Sequence, residues 1–562
     1  MSAAVHTIHN TTHDVANQSR PLVGHNVYSG DAALRDALRH HLPNADEAPR
    51  IALGALCGDA AMQTHARLAN LHQPVLHTHD PAGHRIDQVE FHPAYHALLG
   101  AAVASGLHAT PWAKGPGAHI ERAAAFLMFT QLEPSVLCPV SMTYAVAPAL
   151  RGNAAVFADW FDKLASTTHD PRRIEIGVKL GATMGMGMTE KQGGSDVRAN
   201  TTRADYAEDT PWGRCYRLTG HKWFFSAPMS DAFLVLAQAP AGLSCFFMPR
   251  VLPGGGTNPI VIQRLKDKLG NHANASSEVE FDGALGWLVG DEGRGIPQIL
   301  EMGTLTRLDC ALGTAGLMRG AVAIALHHTA QRSAFGKRLA EQPLMRNVLA
   351  DMALESEAAT ALAMRLARAV DAQDDAFEAS MRRVLTPVAK FWVCKRGALL
   401  AQEAMECLGG NGYVEAHGEG RVARIYREMP LNSIWEGAGN IMALDLLRAL
   451  RRRDAQGNDA LQALETELAT ARGANPALDR FTETLLARFA DATDGGADES
   501  GARRLAQDVA LAVQASLLAR HAPDFVFDAF CRSRLGGGGA QVFGTLPSGL
   551  ALPDIIRRAM PV

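Results

Sequence analysis

The stretch GMGMTEKQGGSDV, residues 185–197, crowds glycines, a Thr, a Ser, a Glu and an Asp into one short run. Glycine is retained where a chain turns tightly or approaches a ligand closely. A loop whose N–H groups and hydroxyls converge can cradle an anion or a cofactor; a plain polar turn is the competing reading. His92 and His96 in FHPAYH have the i, i+4 spacing of two metal ligands on one helix face. No third-ligand motif accompanies them, so packed or exposed histidines and no metal are expected. HTHD at 77–80 reads as a surface loop, and LGGGG at 535–539 as a turn, because no strand and no Lys-Ser/Thr pair accompanies it. The eight cysteines form no CxxC pair, which points to reduced thiols rather than a disulfide framework or a zinc site.

A chain of 562 residues is too long for one core. With 47% hydrophobic and 20% charged residues it has the make-up of a folded globular protein. Its net charge of −4 offers no overall electrostatic case for nucleic acid or acidic membranes. The N-terminus, MSAAVHTIHNTTHDVANQSR, lacks the apolar centre of a signal peptide, and no run reaches the roughly 18 apolar residues of a membrane span. A soluble, cytoplasmic protein without a membrane partner is expected.

The glycine-rich loop depends on the elements around it. Residues 1–30 read as an extended arm. Over 31–183 apolar positions recur at helical spacing, as in AHIERAAAFLMFTQL (118–132), which predicts an N-terminal α-helical domain. CYRLTGHKWFFS, AFLVLAQ, LSCFFMPR, PIVIQRL and SSEVEFD are short β-branched or aromatic runs between Gly, Pro, Asn and Asp. They predict five or so strands of a middle β domain over 184–290. Long helical runs then predict a helical bundle over 291–450 and a C-terminal helical domain over 451–562, broken by a loop at DATDGGADES. The fold class is mainly α with a central β domain.

In that frame, GMTEKQGGSDVRA (187–199) resembles the flavin-loop motif of the acyl-CoA dehydrogenase family, small–apolar–Thr/Ser–Glu–x–x–small–Gly–Ser/Thr–Asp. Four further segments agree in order and rough spacing: GHKWFFS (220–226), KDKLGNHANASSEVEF (266–281), RSAFGKRL (332–339) and ECLGGNGYVEAHGEGRVAR…NSIWEGAGN (406–440). MGMTEKQGGSDV, GLSCFF, RLKDKLGN, CKRG and REMPLNSIWEG, with the tail beyond residue 450, are most similar to the AidB-like branch, associated with the adaptive response to DNA alkylation.

The resemblance implies FAD and an acyl-CoA-like substrate. It also implies removal of the substrate's α-proton by a carboxylate, while a hydride passes from the β-carbon to flavin N5. Glu436 matches the family's base; the alternative position, around Thr306–Arg307, carries no Glu. Burial beside a flavin and Trp435 should raise its pKa. Met188, Thr189, Gly193, Gly194 and Ser195 should meet the flavin and its diphosphate, with Trp223, Phe224 and Ser226 covering the ring. Arg332 and Phe335 should reach the dinucleotide of a neighbouring subunit. Gly409, Gly410 and Gly412 should let backbone approach it, and Trp435, Gly437 and Asn440 should complete the cofactor site. Ser195 and Arg307 should touch substrate. A homotetramer follows from the resemblance.

Two departures qualify that picture. Glu436-Gly437-Ala438-Gly439-Asn440 stands where many members have E-G-T-S-Q, and Trp435 replaces a Tyr and should narrow the acyl pocket. Weak activity on short or branched acyl-CoA is expected, the alternative being a DNA-binding flavoprotein with vestigial dehydrogenase activity. The tail from Arg448 carries 14 Arg, no Lys and 14 acids, neutral in sum. Arg451, Arg452, Arg453, Arg503 and Arg504 are the candidates for a local patch that meets double-stranded DNA, with the acids elsewhere.

Overall fold

The computed structural model describes residues 12–415, 421–451, 459–495, 499–536 and 542–561. Within the N-terminal region, helices Ala32–His41, Ala48–Gly58 and Ala60–Leu71 precede Pro93–Ala104, Ala118–Leu132, Leu137–Leu150 and Ala154–Ala165. Asp31, Asp59 and Asn153 cap three of them through their side chains. Between them lies a feature the sequence did not announce: His77, Thr78 and His79 of HTHD belong not to a loop but to β1 (Val75–His79), which pairs antiparallel with β2 (Arg85–Glu90). Asp80 accepts from the N–H groups of Ala82 and His84, and Gly83 takes φ 90° to close the hairpin. The ribbon is largely solvent-facing, so it carries no apolar stripe to mark it.

The middle region holds seven strands: β3 (Met184–Gly187), β4 (Arg203–Thr210), β5 (Gly213–Ser226), β6 (Ala232–Ala239), β7 (Gly242–Pro249), β8 (Ile260–Leu265) and β9 (Ser276–Val289). The five predicted runs are β5 to β9; β3 lies inside the glycine-rich stretch and β4 is charged, so neither reads as a strand. The strands run in the order β6-β4-β5-β9-β7, and β7 pairs again with β6, closing a barrel that removes free edges. β3 lies parallel to β6, which sets the glycine-rich loop on the barrel's rim.

The bundle is built from Gly295–Gln331, Pro343–Asp371, Ala376–Cys407, Arg421–Asn432 and Gly439–Arg451. The first is 37 residues long, and its length and mean hydropathy of 1.3 would allow a membrane crossing, contrary to the expectation that no run does so. It is instead the core helix: 94% of its most apolar window is buried within the protein. The arm at Asn17–Arg20 is strapped to the far end of that helix, with Asn17 pairing both ways with the Ser333 backbone at 2.8 Å.

The tail comprises Ala460–Ala469, Pro476–Gly495, Ala502–His521, Asp524–Phe530 and Leu552–Ala559. The helix Pro476–Gly495 runs into the stretch read as a loop. The Arg-rich make-up of this tail has a structural cause, since a guanidinium pairs in two-pronged fashion with a carboxylate. Arg534 meets Asp351 and Glu355, Arg558 meets Glu357 and Asp36, and Arg520 joins Glu467, which also holds Arg365. All eight cysteines are buried free thiols.

Candidate active site

Glu190, the acid of the glycine-rich motif, organises the loop. It is fully buried, and its carboxylate accepts from Lys222 Nζ at 2.8 Å, from the Thr201 and Thr202 N–H groups at 2.7 and 3.2 Å, and from Gln192 at 2.8 Å. Burial pushes this carboxyl up, but Lys222 and the converging donors outweigh it and hold it well below the usual range. Met188 and Thr189 are consequently held half-buried, while Gly193, Gly194 and Ser195 face outward. Gly193 has φ 142°, and a Cβ on Gly194 would meet Thr189 Oγ1 at 2.3 Å, so the backbone lies bare beside a hydroxyl.

The Thr189 carbonyl accepts from Trp223 N–H at 2.9 Å, which joins the loop to β5. Successive residues of a regular strand face opposite sides. Here Trp223 is half-buried and Phe224 is 55% exposed, whereas Phe225 is fully buried. The pairing of β5 with β9 shifts between Lys222 and Phe225, and this bulge presents both rings to one side. Lys266 Nζ stands over both, 3.5 Å and 4.7 Å from their centres.

Ser226, at the end of β5, opens a polar cluster. Its hydroxyl is 3.3 Å from that of Ser276, Lys268 Nζ is 3.3 Å from the same Ser276 oxygen, and Lys268 also donates to the Asn274 carbonyl. The Asn274 side chain is buried, and among the described residues neither of its amide atoms has a nitrogen or oxygen partner. Cys138 lies beside Ser226 and Asn274. Burial pushes its thiol up to about 12, Lys268 opposing and Glu436 reinforcing the rise. Cys138, Lys268, Asn274 and Ser276 were not singled out from sequence; the signal available was the quoted segment 266–281, which holds three of them.

Glu436 occupies the turn before Gly439–Arg451 with φ 60°, and Gly437 follows at φ 103°. A left-handed glutamate is a strained backbone position that the surroundings must hold. Arg307 Nε donates to the Glu436 carbonyl at 2.8 Å, Lys390 Nζ to the Gly437 carbonyl at 2.6 Å, and Thr306 Oγ1 to Glu436 Oε2 at 2.8 Å. Burial raises the carboxyl's pKa, while Thr306, Arg307 and Lys390 pull it back.

Other expected site residues sit differently. Arg307, expected on substrate, is engaged by the Glu436 carbonyl that the left-handed turn exposes and by Asp445 at 3.4 Å. Trp435 is half-buried and donates to Asn432 at 3.1 Å. Asn440 accepts from Arg503 at 3.3 Å, and the Arg503 guanidinium lies 5.6 Å from the Phe391 ring. Arg504 bonds Asp508 at 3.0 Å, so the acid of that patch lies beside its cation and not elsewhere. Arg451 ends its helix exposed; Arg452 and Arg453 lie outside the described residues. Arg332 donates to the Asn17 carbonyl. Phe335, at φ 51°, is 97% exposed, and Gly409 and Gly410 have open space where a Cβ would be. His92 caps the helix Pro93–Ala104, and His96 pairs with His169 at 3.1 Å.

The set fits a flavin cofactor. Two aromatic rings share one side of β5, with the Thr189 and Ser226 hydroxyls and the bare backbone of Gly193–Ser195 nearby. The buried amide of Asn274 has no nitrogen or oxygen partner among the described residues, and the carboxylate of Glu436 is held in place.

Comparison with known proteins agrees. The Adaptive response protein AidB N-terminal domain matches residues 17–171, the acyl-CoA dehydrogenase middle domain 185–284 and the acyl-CoA dehydrogenase C-terminal domain 293–451. AidB of Escherichia coli (strain K12) is 51% identical over 79% of this chain and 82% of its own. Acyl-CoA dehydrogenase family member 11 of Caenorhabditis elegans is 29% identical over 89% of this chain and 85% of its own. The crystal structure of Caenorhabditis elegans ACDH-11 in complex with C11-CoA superposes with a TM-score of 0.83, at 27% identity, covering 95% of each chain. An acyl-CoA dehydrogenase from Bacillus anthracis, complexed with FAD, shares the fold with a TM-score of 0.62 at 20% identity, over 78% of this chain and 80% of its own. The chain belongs to the acyl-CoA dehydrogenase family, in its AidB-like branch, and FAD is the cofactor of that family.

Proposed function

We propose that the protein oxidises an acyl-CoA thioester between Cα and Cβ, with Glu436 as the base. The observation that carries this reading is the hold on Glu436: a raised carboxyl, oriented by Thr306 and fixed at its backbone by Arg307 and Lys390. A base of raised pKa is better matched to a weakly acidic α-proton than an ordinary surface carboxylate. When bound, FAD supplies the acceptor for the hydride that leaves Cβ. The chain's own residues do the rest. Glu436 Oε takes the α-proton, Thr189, Trp223, Phe224 and Ser226 position the ring, and Ser195 lies at the loop where substrate enters. Trp435, half-buried next to the base, limits the acyl chain to short or branched forms.

Anaerobic mixing with an acyl-CoA panel tests this. Flavin bleaching should be slow and confined to short or branched chains, and Glu436→Gln should abolish it. Fast turnover of a long-chain thioester would remove the pocket argument, and bleaching that survives the Gln substitution would remove Glu436 from its role.

A homotetramer is part of the proposal. Phe335 at 97% exposure, Leu344 at 83% and Tyr413 at 82% offer apolar contacts that a second copy would cover. A monomeric mass in solution would count against it.

A further inference from the structure

A second cavity, of about 440 Å³, opens between the N-terminal helices and the barrel rim. One wall is apolar, from Phe91, Tyr95, Leu99 and Val103. The opposite wall is polar and its charges do not balance. Lys179 is matched by Asp231 at 2.6 Å, and Arg172 is matched in two-pronged fashion by Asp170 at 2.8 and 2.7 Å. Arg173 and Arg250 are left over. Arg173 donates to the Ile86 carbonyl at 2.7 Å and Arg250 to the Met229 carbonyl at 2.9 Å. Among the described residues neither forms a salt bridge to a carboxylate. Asp87, whose charge both feel, is engaged by Arg85 at 2.8 and 3.1 Å. Glu90, also on the lining, is bonded to His77 at 2.9 Å.

Two further groups face the same space. Ser230 is buried with its hydroxyl unpartnered among the described residues, and His96 Nδ1 lies 3.1 Å from His169 Nε2. Burial lowers the pKa of both histidines, so they add polar edges without charge. Burial, reinforced by Arg173, also lowers the Arg250 guanidinium to about 10. Asp231 and Asp87 oppose that fall, but each is already engaged by another cation, Lys179 and Arg85; a desolvated cation that shares its counter-charges is costly, and an anion that reaches it relieves that cost.

We propose that this cavity binds a small organic monoanion, a carboxylate on a short apolar body, with Arg250 and Arg173 gripping the carboxylate and Ser230 donating to it. The apolar wall takes the body. Asp170 and Asp231 on the polar wall oppose a more highly charged ligand. Pro139 and Ala227 line the cavity and follow Cys138 and Ser226 of the flavin-facing cluster in sequence, so the ligand would rest behind the active-site wall without touching Glu436.

Isothermal titration of the flavin-loaded protein with hexanoate, hexan-1-ol and inorganic phosphate decides the matter. Hexanoate should bind once per subunit, and the alcohol and phosphate should bind at least about tenfold more weakly. Arg250→Gln and Arg173→Gln should each weaken hexanoate about tenfold or more. Arg173 lies at the exposed mouth, so its variant remains informative if Arg250→Gln does not fold. No heat from hexanoate up to about 10 mM would overturn the proposal. So would equal binding of hexan-1-ol, equal binding of phosphate, or hexanoate affinity unchanged in Arg173→Gln.

Discussion

The hydroxyl of Thr306 donates to the carboxylate of Glu436 at 2.8 Å, across 130 positions of sequence. Thr306 occupies the helix position that, by family resemblance, supplies the acid in other members. Here the two positions act together, one bearing the carboxylate and the other orienting it. Because the hydrogen bond favours the charged form, it restrains the rise that burial imposes. Thr306→Val should therefore raise the Glu436 pKa further. In the pH dependence of anaerobic flavin reduction, the acid limb should move to more alkaline pH. An unmoved limb would show that the hydroxyl does not tune the base.

Glu190 and Lys222 form a pair in which neither side chain is exposed, 2.8 Å apart beneath the glycine-rich loop. Removing one partner strands a buried charge, so Lys222→Met or Glu190→Gln should each lower stability by about 3–5 kcal/mol. The double replacement should cost clearly less than the sum. Denaturant unfolding of the three variants measures the coupling, and strict additivity would mean the pair does not interact in the folded state.

A third expectation concerns pH. The ring of His521, on the tail, lies 3.8 Å from that of His40 and 5.5 Å from that of His41. His41 Nε2 and both nitrogens of His521 are buried without partners. Burial first, then the neighbouring imidazoles and arginines, lowers His41 and His521 to about 3; Glu467 opposes this at His521 without reversing it. Their folded pKa lies below the unfolded value of 6.5, so the folded state favours the neutral rings. The stability this contact contributes is full above pH 6.5 and is lost as pH falls from 6.5 toward 3. The melting temperature should fall between pH 7 and pH 5, by an effect of about 1 kcal/mol per pH unit. His521→Gln should flatten that dependence; a curve unchanged by the substitution would place the acid sensitivity elsewhere.

Binding of duplex DNA by the tail is a separate proposal, and the structure narrows it. Arg503 and Arg504 are already partnered, and Arg520, Arg534 and Arg558 dock the tail on buried or half-buried acids. Arg451, Arg452 and Arg453, the cluster the sequence points to, are the residues to test. At low salt the intact oligomer should shift duplex DNA weakly and without sequence preference, with a log–log salt slope of about −0.9 per phosphate contacted. Replacing Arg451, Arg452 and Arg453 by Ala should flatten that slope. Absence of any shift at low salt would leave the tail as a packing element.

The sequence by itself determined the order of helical, β and helical regions, because period and composition are local signals. It also determined the family, because the glycine-rich loop and the W-E-G turn are short motifs whose spacing the backbone requires. The same motifs pointed to Glu436, Thr189, Trp223, Phe224 and Ser226 as candidate site residues. What those residues contact was not legible. A one-residue shift in the β5–β9 register presents Trp223 and Phe224 to the same side. The left-handed backbone at Glu436 exposes a carbonyl that takes a hydrogen bond from Arg307. The solvent-facing β1–β2 ribbon has no apolar period to betray it. Of the tail's arginines, Arg534 and Arg558 close on acids from another helix, and Arg503, a candidate for the local patch, closes on Asn440. Each of these outcomes depends on groups far apart in the chain, brought together by burial and by the need to pair every charge and carbonyl that burial removes from water. Only the tertiary structure decides them, because no local pattern encodes a partner a hundred or more residues away.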